Sequence, residues 1–177
     1  MIYNSATLEN AALLDAAQSM CAAARTAPKT KGVDRIVTLA LTGDDKDALA
    51  DRMESLADEL GMAFFKRDAG NLRTAGAVVL IGTTEGAAGL GEPCSMCHFK
   101  GCAGRTEAGA ICVFNPIDLG IAVGSAVSVA ADARVDTRVM FSVGRAALAS
   151  GLLGEGVSIA LGIPVSISGK SPFFDRK

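Results

Sequence analysis

The chain has no tryptophan, one tyrosine and one histidine in 177 residues, and aromatics make up only 5% of it. Without large rings its core must be filled by alanine, valine, leucine and isoleucine, and half of the residues are hydrophobic. The single histidine, His98, nearly removes hydrolytic triads and multi-histidine metal sites from consideration. Lys/Arg-rich tracts are also missing, and 17 basic against 19 acidic residues leave a formal net charge of -2. A nucleic-acid surface would show as a clustered basic stripe, so nucleic acid is not an expected partner. The longest apolar stretch, 117–131, is interrupted by Asp118 and bounded by Asp132. It falls short of the roughly 20 residues that span a bilayer, so no membrane association is expected. The first residues lack the basic flank and apolar run of a signal peptide. Together these absences predict one domain over 1–177 in the cytoplasm, where free thiols stay reduced and clustered cysteines usually bind metal.

What the chain does have is cysteine in one place. Four of its five cysteines lie in Cys94-Ser-Met-Cys97-His98-Phe-Lys-Gly-Cys102 and at Cys112, a C-x2-C-x4-C-x9-C pattern. Gly89, Gly91, Gly101, Gly104 and Gly109 surround them, so the loop 89–114 can bend around an inorganic centre and turn backbone N–H groups toward sulfur. Cys94, Cys97, Cys102 and Cys112 are the candidate metal ligands. An iron–sulfur cluster, with each thiolate on one iron of a [4Fe-4S] cubane, fits best; a tetrahedral zinc uses the same four sulfurs, and disulfides or free thiols are the remaining alternative. His98 could replace Cys112 as fourth ligand, but an exposed loop position explains it more simply. The fifth cysteine, Cys21, sits in an alanine-rich helical stretch and reads as an inert thiol.

Periodicity predicts an α+β fold. A helix over 5–26, capped by Ser5 or Thr7 and ended by Pro28, leads to a cationic turn of Arg25, Lys29 and Lys31. That turn either complements the helix dipole or clasps an anion. Strands are expected at 35–41 and 76–82, both buried on two faces, and at 156–168. Between the first two lies an amphipathic helix with Leu49, Met53, Leu56 and Leu60 on one stripe and Gly61 as its stop, then an ambiguous stretch over 62–75 with room for a short helix reaching Leu72. The cysteine loop follows the second strand directly, as sites in such proteins often do. Asn115-Pro-Ile-Asp118 predicts a helix start, with Asn115 as N-cap, Pro116 at the first position and Asp118 at the third. The helix to about Ala133 is apolar around nearly its whole circumference, and Gly120, Gly124 and Ser128 allow close backbone approach. It is either a central core helix or part of a homodimer interface. A short strand or turn is expected over 138–142, a helix over 143–150, and docking of the tail 171–177 through Phe173 and Phe174.

Several of these stretches carry a resemblance: Thr26-Ala-Pro-Lys-Thr-Lys-Gly-Val-Asp34, the cysteine loop, 114–129, Val139-Met-Phe-Ser-Val-Gly144, Leu161-Gly-Ile-Pro164 and Pro172-Phe-Phe-Asp-Arg176. Over nearly its whole length the chain resembles a family of bacterial and archaeal ferredoxin-domain proteins of unknown function, whose cysteines look like ligands to a [4Fe-4S] cluster. The order of elements is similar, more weakly, to the flavin-dependent nitroreductases, which implies a central sheet flanked by helices with the cysteine loop inserted in it. That second resemblance places Arg25 and Lys29 where the fold holds an FMN phosphate, and it implies a tight homodimer. The chain departs from it in having one arginine there, in carrying the cysteine loop, and in being shorter than most members.

Two classes of function follow. One is an iron–sulfur redox protein that passes electrons to a flavin or a partner protein, with an oxidoreductase step as an option. The other is a non-enzymatic module in which a structural zinc or sensing metal loop supports binding of a protein partner.

Overall fold

The computed structural model describes residues 1–174. Its centre is a four-stranded antiparallel sheet in the order β1-β2-β4-β3, built from β1 (Ile36–Thr42), β2 (Ala77–Thr84), β3 (Asp136–Thr137) and β4 (Val157–Ser166). Five helices cover it, α1 (Ser5–Thr26), α2 (Gly43–Leu60), α3 (Phe64–Thr74), α5 (Phe114–Asp132) and α6 (Phe141–Ala149), while α4 (Gly101–Glu107) lies in the cysteine loop.

Alternation along β2 explains the layering. Val78 and Leu80 face a core with Leu49 and Met53 of α2, Phe65 and Leu72 of α3, and Val143 of α6. Ala77, Val79 and Ile81 face the other way, onto Leu13, Met20 and Ala24 of α1 and Leu119, Ala122 and Ala126 of α5. Successive strand side chains point to opposite faces, so a strand apolar at every position must be covered on both sides. The result is three layers, α2/α3/α6 on one face of the sheet and α1/α5 on the other.

Small residues set the closeness of the layers. An added Cβ on Gly144 would come within 2.0 Å of the Ala160 carbonyl oxygen, and one on Gly162 within 2.2 Å of Val143 Cγ1. Helix α6 therefore rests on the backbone of β4, and an isolated bridge, Met140 with Gly162, fastens its N-terminal end.

Several expectations are corrected. The N-cap of α1 is Asn4, whose Oδ1 accepts the Thr7 N–H at 2.9 Å, because the chain is still extended there and turns helical at Ser5. β1 is buried on neither face throughout: it is an edge strand paired with β2 alone, with Ala40 exposed. Over 62–75 the short helix is present as α3, running two residues past Leu72 to Thr74. Asn115 does not cap α5, because Val113 is already helical (φ -56°, ψ -28°), which draws Asn115 into the first turn and buries it. Nor is α5 buried all round: Ile117 (38% exposed), Gly120, Ile121 (42%), Gly124 and Ser128 form an open face. The short strand lies at 136–137 rather than 138–142, and α6 begins at Phe141. In the tail, Phe173 is buried in the α2/α3/α6 core, whereas Phe174 stays exposed with the Arg138 guanidinium 5.4 Å from its ring centre. Asp175, Arg176 and Lys177 lie outside the described residues.

The glycines give a paired stability test. Gly144→Ala forces α6 off β4 and is expected to cost about 3 kcal/mol, the upper range for overpacking a filled core. Gly124→Ala meets nothing within 4 Å, so in an isolated subunit it should stabilise by about 0.5–1 kcal/mol, the helix-interior difference between the two residues. Urea unfolding of both variants checks the contrast.

Candidate functional site

Strand β2 delivers the chain to the site. At its end the Thr84 N–H bonds the Arg35 carbonyl (3.0 Å) and the Glu85 N–H bonds the Gly156 carbonyl (3.2 Å). One residue on, the Gly86 N–H donates to Asn115 Oδ1 at 3.4 Å, which joins the start of the loop to the first turn of α5. Gly86 also lies under the Arg35 guanidinium, so close that a Cβ would overlap it at 2.1 Å. Arg35 Nη2 in turn bonds the Ala87 carbonyl at 3.3 Å.

Beyond Ala88 the chain folds over a narrow recess between the loop, α4 and the start of α5. Cys94, Cys97, Cys102 and Cys112 all line it, with Leu90, Val113 and Phe114 among the apolar walls. Cys112 is buried and the other three are half-buried. Left-handed backbone at Gly89, Gly91, Ser95, His98 and Gly101 winds the loop back on itself. Gly101 is required on a second count, since a Cβ there would press on the Glu92 backbone at 3.1 Å. His98 is exposed and is not among the lining residues.

The glycine turn acts on sulfur. Backbone N–H groups bond the Cys102 sulfur, Gly91 foremost and then Gly89 and Leu90, and with the Arg105 charge they outweigh partial burial and hold this thiol below its ordinary range. Cys21, facing the sheet from α1, shows the reverse: burial pushes its thiol up, against a smaller opposing hydrogen bond with Thr38. Among the described residues, no three His, Cys, Asp or Glu side chains already stand at metal-coordinating separations. The thiols share a recess rather than a coordination sphere. The contacts Cys94 N–H to Gly91 O, His98 N–H to Ser95 O and Gly101 N–H to Phe99 O are local turns within the loop.

Arg25 and Lys29, the basic pair at the end of α1, have partners inside the chain. Arg25 Nη1 donates to Asp34 Oδ2 (2.5 Å) and to the Ile36 carbonyl (2.6 Å). Lys29 Nζ donates to the Ala24 carbonyl (2.8 Å) and to that of Arg25, capping α1 at its negative end. Burial raises the Asp34 carboxyl, but the Arg25 hydrogen bond, the Ile36 N–H and the charges of Lys29 and Arg25 together hold it below the usual range. Asp118 does not reach the cysteines either. Its carboxylate accepts the Thr30 N–H (3.0 and 3.1 Å) and hydroxyl (2.9 Å), tying the 29–32 turn to α5. A second, narrow hollow, lined by Thr30, Arg35, Asn115 and Asp118, abuts the cysteine recess and shares Ala88 and Phe114 with it.

Two site residues escape a reading of the sequence. Arg105 is 5% exposed and lines the recess; its signal was its place three residues after Cys102 on one helix face. Arg35 had none, because its contact with Gly86 joins segments 51 residues apart.

Residues 108–176, a stretch holding Cys112 and α5, match the family described as uncharacterized proteins containing a ferredoxin domain. An uncharacterized protein of Archaeoglobus fulgidus is 39% identical over 184 residues, covering 99% of this chain and 98% of that one. The chain belongs to this ferredoxin-domain family.

Its fold is that of the nitroreductases. A BluB-like flavoprotein from Clostridium difficile 630 superposes with a TM-score of 0.61 at 14% identity, over 92% of this chain and 84% of that one. An FMN and NADPH-dependent nitroreductase, NfnB, from a Sphigopyxis strain gives 0.59 at 11% identity, over 90% and 81%. Nitroreductase A from Vibrio parahaemolyticus gives 0.56 at 13%, over 92% of this chain but only 61% of its own length. The expected α+β architecture, a central sheet between helical layers, is thus observed.

The opposite thiol shifts can be read directly. In reduced, metal-free protein, iodoacetamide should alkylate Cys102 well before Cys21 at neutral pH. The rate profile of Cys102 should have its midpoint below the ordinary thiol value of 9.0 and that of Cys21 above it, since the thiolate is the reacting form. Peptide mass mapping across a pH series checks both.

Proposed function

We propose that this chain is an iron–sulfur redox protein in which Cys94, Cys97, Cys102 and Cys112 hold one [4Fe-4S] cluster for electron transfer. The observation that carries the reading is the lining of the recess: all four cysteines, apolar walls, and no carboxylate or histidine. Sulfur-only donors suit iron–sulfur clusters and zinc. Backbone N–H groups directed at Cys102 are what a cluster thiolate uses. When bound, the cluster supplies one-electron chemistry at a potential set by such hydrogen bonds and by burial. The chain's part is to present four thiolates, to shield the buried Cys112 side from water, and to keep the open side accessible to a partner.

A flavin is the second component of this reading, supported by the fold and by the FMN dependence stated for one neighbour. Its phosphate would draw on Arg25, whose side chain is half exposed, while Lys29 would contribute charge from its place on the helix carbonyls. The open face of α5 would form the seam of a homodimer, where Gly120 and Gly124 let two backbones approach. The reading places the protein in the reducing cytoplasm, where such thiols remain available.

Anaerobically purified protein should absorb broadly near 400 nm, bleach with dithionite, and contain about four irons and four sulfides per chain. Each of Cys94→Ser, Cys97→Ser, Cys102→Ser and Cys112→Ser should lose most of that absorption. One zinc with no visible absorption would sink electron transfer and leave a structural loop that serves a protein partner; resolved flavin bands would establish the second component. For the dimer, light scattering should report two chains for the wild type and one for Ile121→Glu. A monomeric wild type removes the seam.

A further inference from the structure

Arg105 is the one arginine among the residues that line the cysteine recess. Its side chain is 6% exposed and most of its donors are spent: Nη1 bonds Glu85 Oε1 (2.5 Å) and the Ala110 carbonyl (2.6 Å), and Nη2 bonds the Thr106 hydroxyl (3.2 Å). Of its five N–H donors three are used in this way, and Nε is buried without a partner. A buried unpaired N–H is ordinarily destabilising, and an arginine fixed by three other contacts cannot turn to relieve it. Cys102, three residues earlier, shares its face of α4.

Resting on the cluster reading above, we propose that Arg105 Nε–H donates to a sulfur of the bound cluster, so that Arg105 sets its reduction potential. Uptake of one electron makes the cluster more negative, and a fixed cation with a donor at the sulfur favours that reduced form. The half-exposed Glu85 holds the guanidinium without entering the recess. Arg105 thereby also joins the end of β2 to α4 and to the turn before Cys112, so charge placement and loop geometry depend on one side chain.

The test uses the cluster-loaded full chain. In Arg105→Gln, with iron and sulfide equal to wild type, the midpoint from an EPR-monitored dithionite titration should move to more negative potential. Arg105→Lys, which keeps the charge but not the fork, should recover part of the shift. An unchanged midpoint in a fully loaded Arg105→Gln overturns the proposal. If that variant does not load, wild-type protein carrying 15N-arginine decides. Its reduced cluster should show a weak 15N hyperfine coupling in pulsed EPR, and absence of that coupling overturns the proposal. Wild-type protein without iron and sulfide would instead remove the cluster reading itself, a failure visible before any variant is made.

Discussion

The fold depends on the double burial of β2. Every position from Ala77 to Thr83 is buried, and no helix on a single face could achieve that. Two separate cores result, one per face, and β2 is their shared wall. Where the strand ends, both cores end as well, and the backbone emerges between α5 and the turn after α1. The recess is set there because that is where the wall stops and the chain must satisfy its own polar groups through Asn115, Arg35 and Gly156.

Around this exit, opposite charges are used mostly to hold backbone. Asp118 secures the Thr30 amide, Lys29 the last carbonyls of α1, and Arg105 the Ala110 carbonyl. Each ties a terminus or turn near the recess to a neighbouring element. Lys29 and Asp118 are thereby spent on backbone, and Arg25 is shared with Asp34; Arg105, whose Nε is left without a partner, differs from them. The distinction matters for the two cofactor readings, since a flavin phosphate would have to compete with internal partners and a cluster sulfur would not.

Much of this could be read in the residues. The helical stripe of α2, the continuous apolar run of β2 and the four-cysteine spacing are local signals, and each corresponds to an element or a recess in the structure. What escaped was non-local. β1 carries the same β-branched composition as a central strand, and only its position at the sheet edge exposes it. Asn115 has the chemistry of a cap, but the helix begins at Phe114, before it, because Val113 is already helical, and the side chain is used across the loop instead. The apolar circumference of α5 does not say which side meets α1 and which stays open. For Arg105 the composition gave its spacing from Cys102 but not the orphaned Nε, which exists only once Glu85, Thr106 and Ala110 have converged on it.

The contact between α1 and α5 is made largely of methyl groups: Ala16, Ala17, Ala24, Ala122, Ala126 and Ala130 are all buried. Alanine gives up no rotamer freedom on burial, so this seam forms at little entropic cost, and its shallow ridges let Ser125 Oγ reach the Ala23 carbonyl at 3.1 Å. Such a seam has no slack. A bulkier side chain there cannot rotate into a void, and it levers the two rods apart about the sheet. Because the 29–32 turn is moored to α5 through Asp118, that lever arm ends beside the cysteines. Damage to the middle of the molecule would therefore be felt as misalignment at its sulfur-lined end.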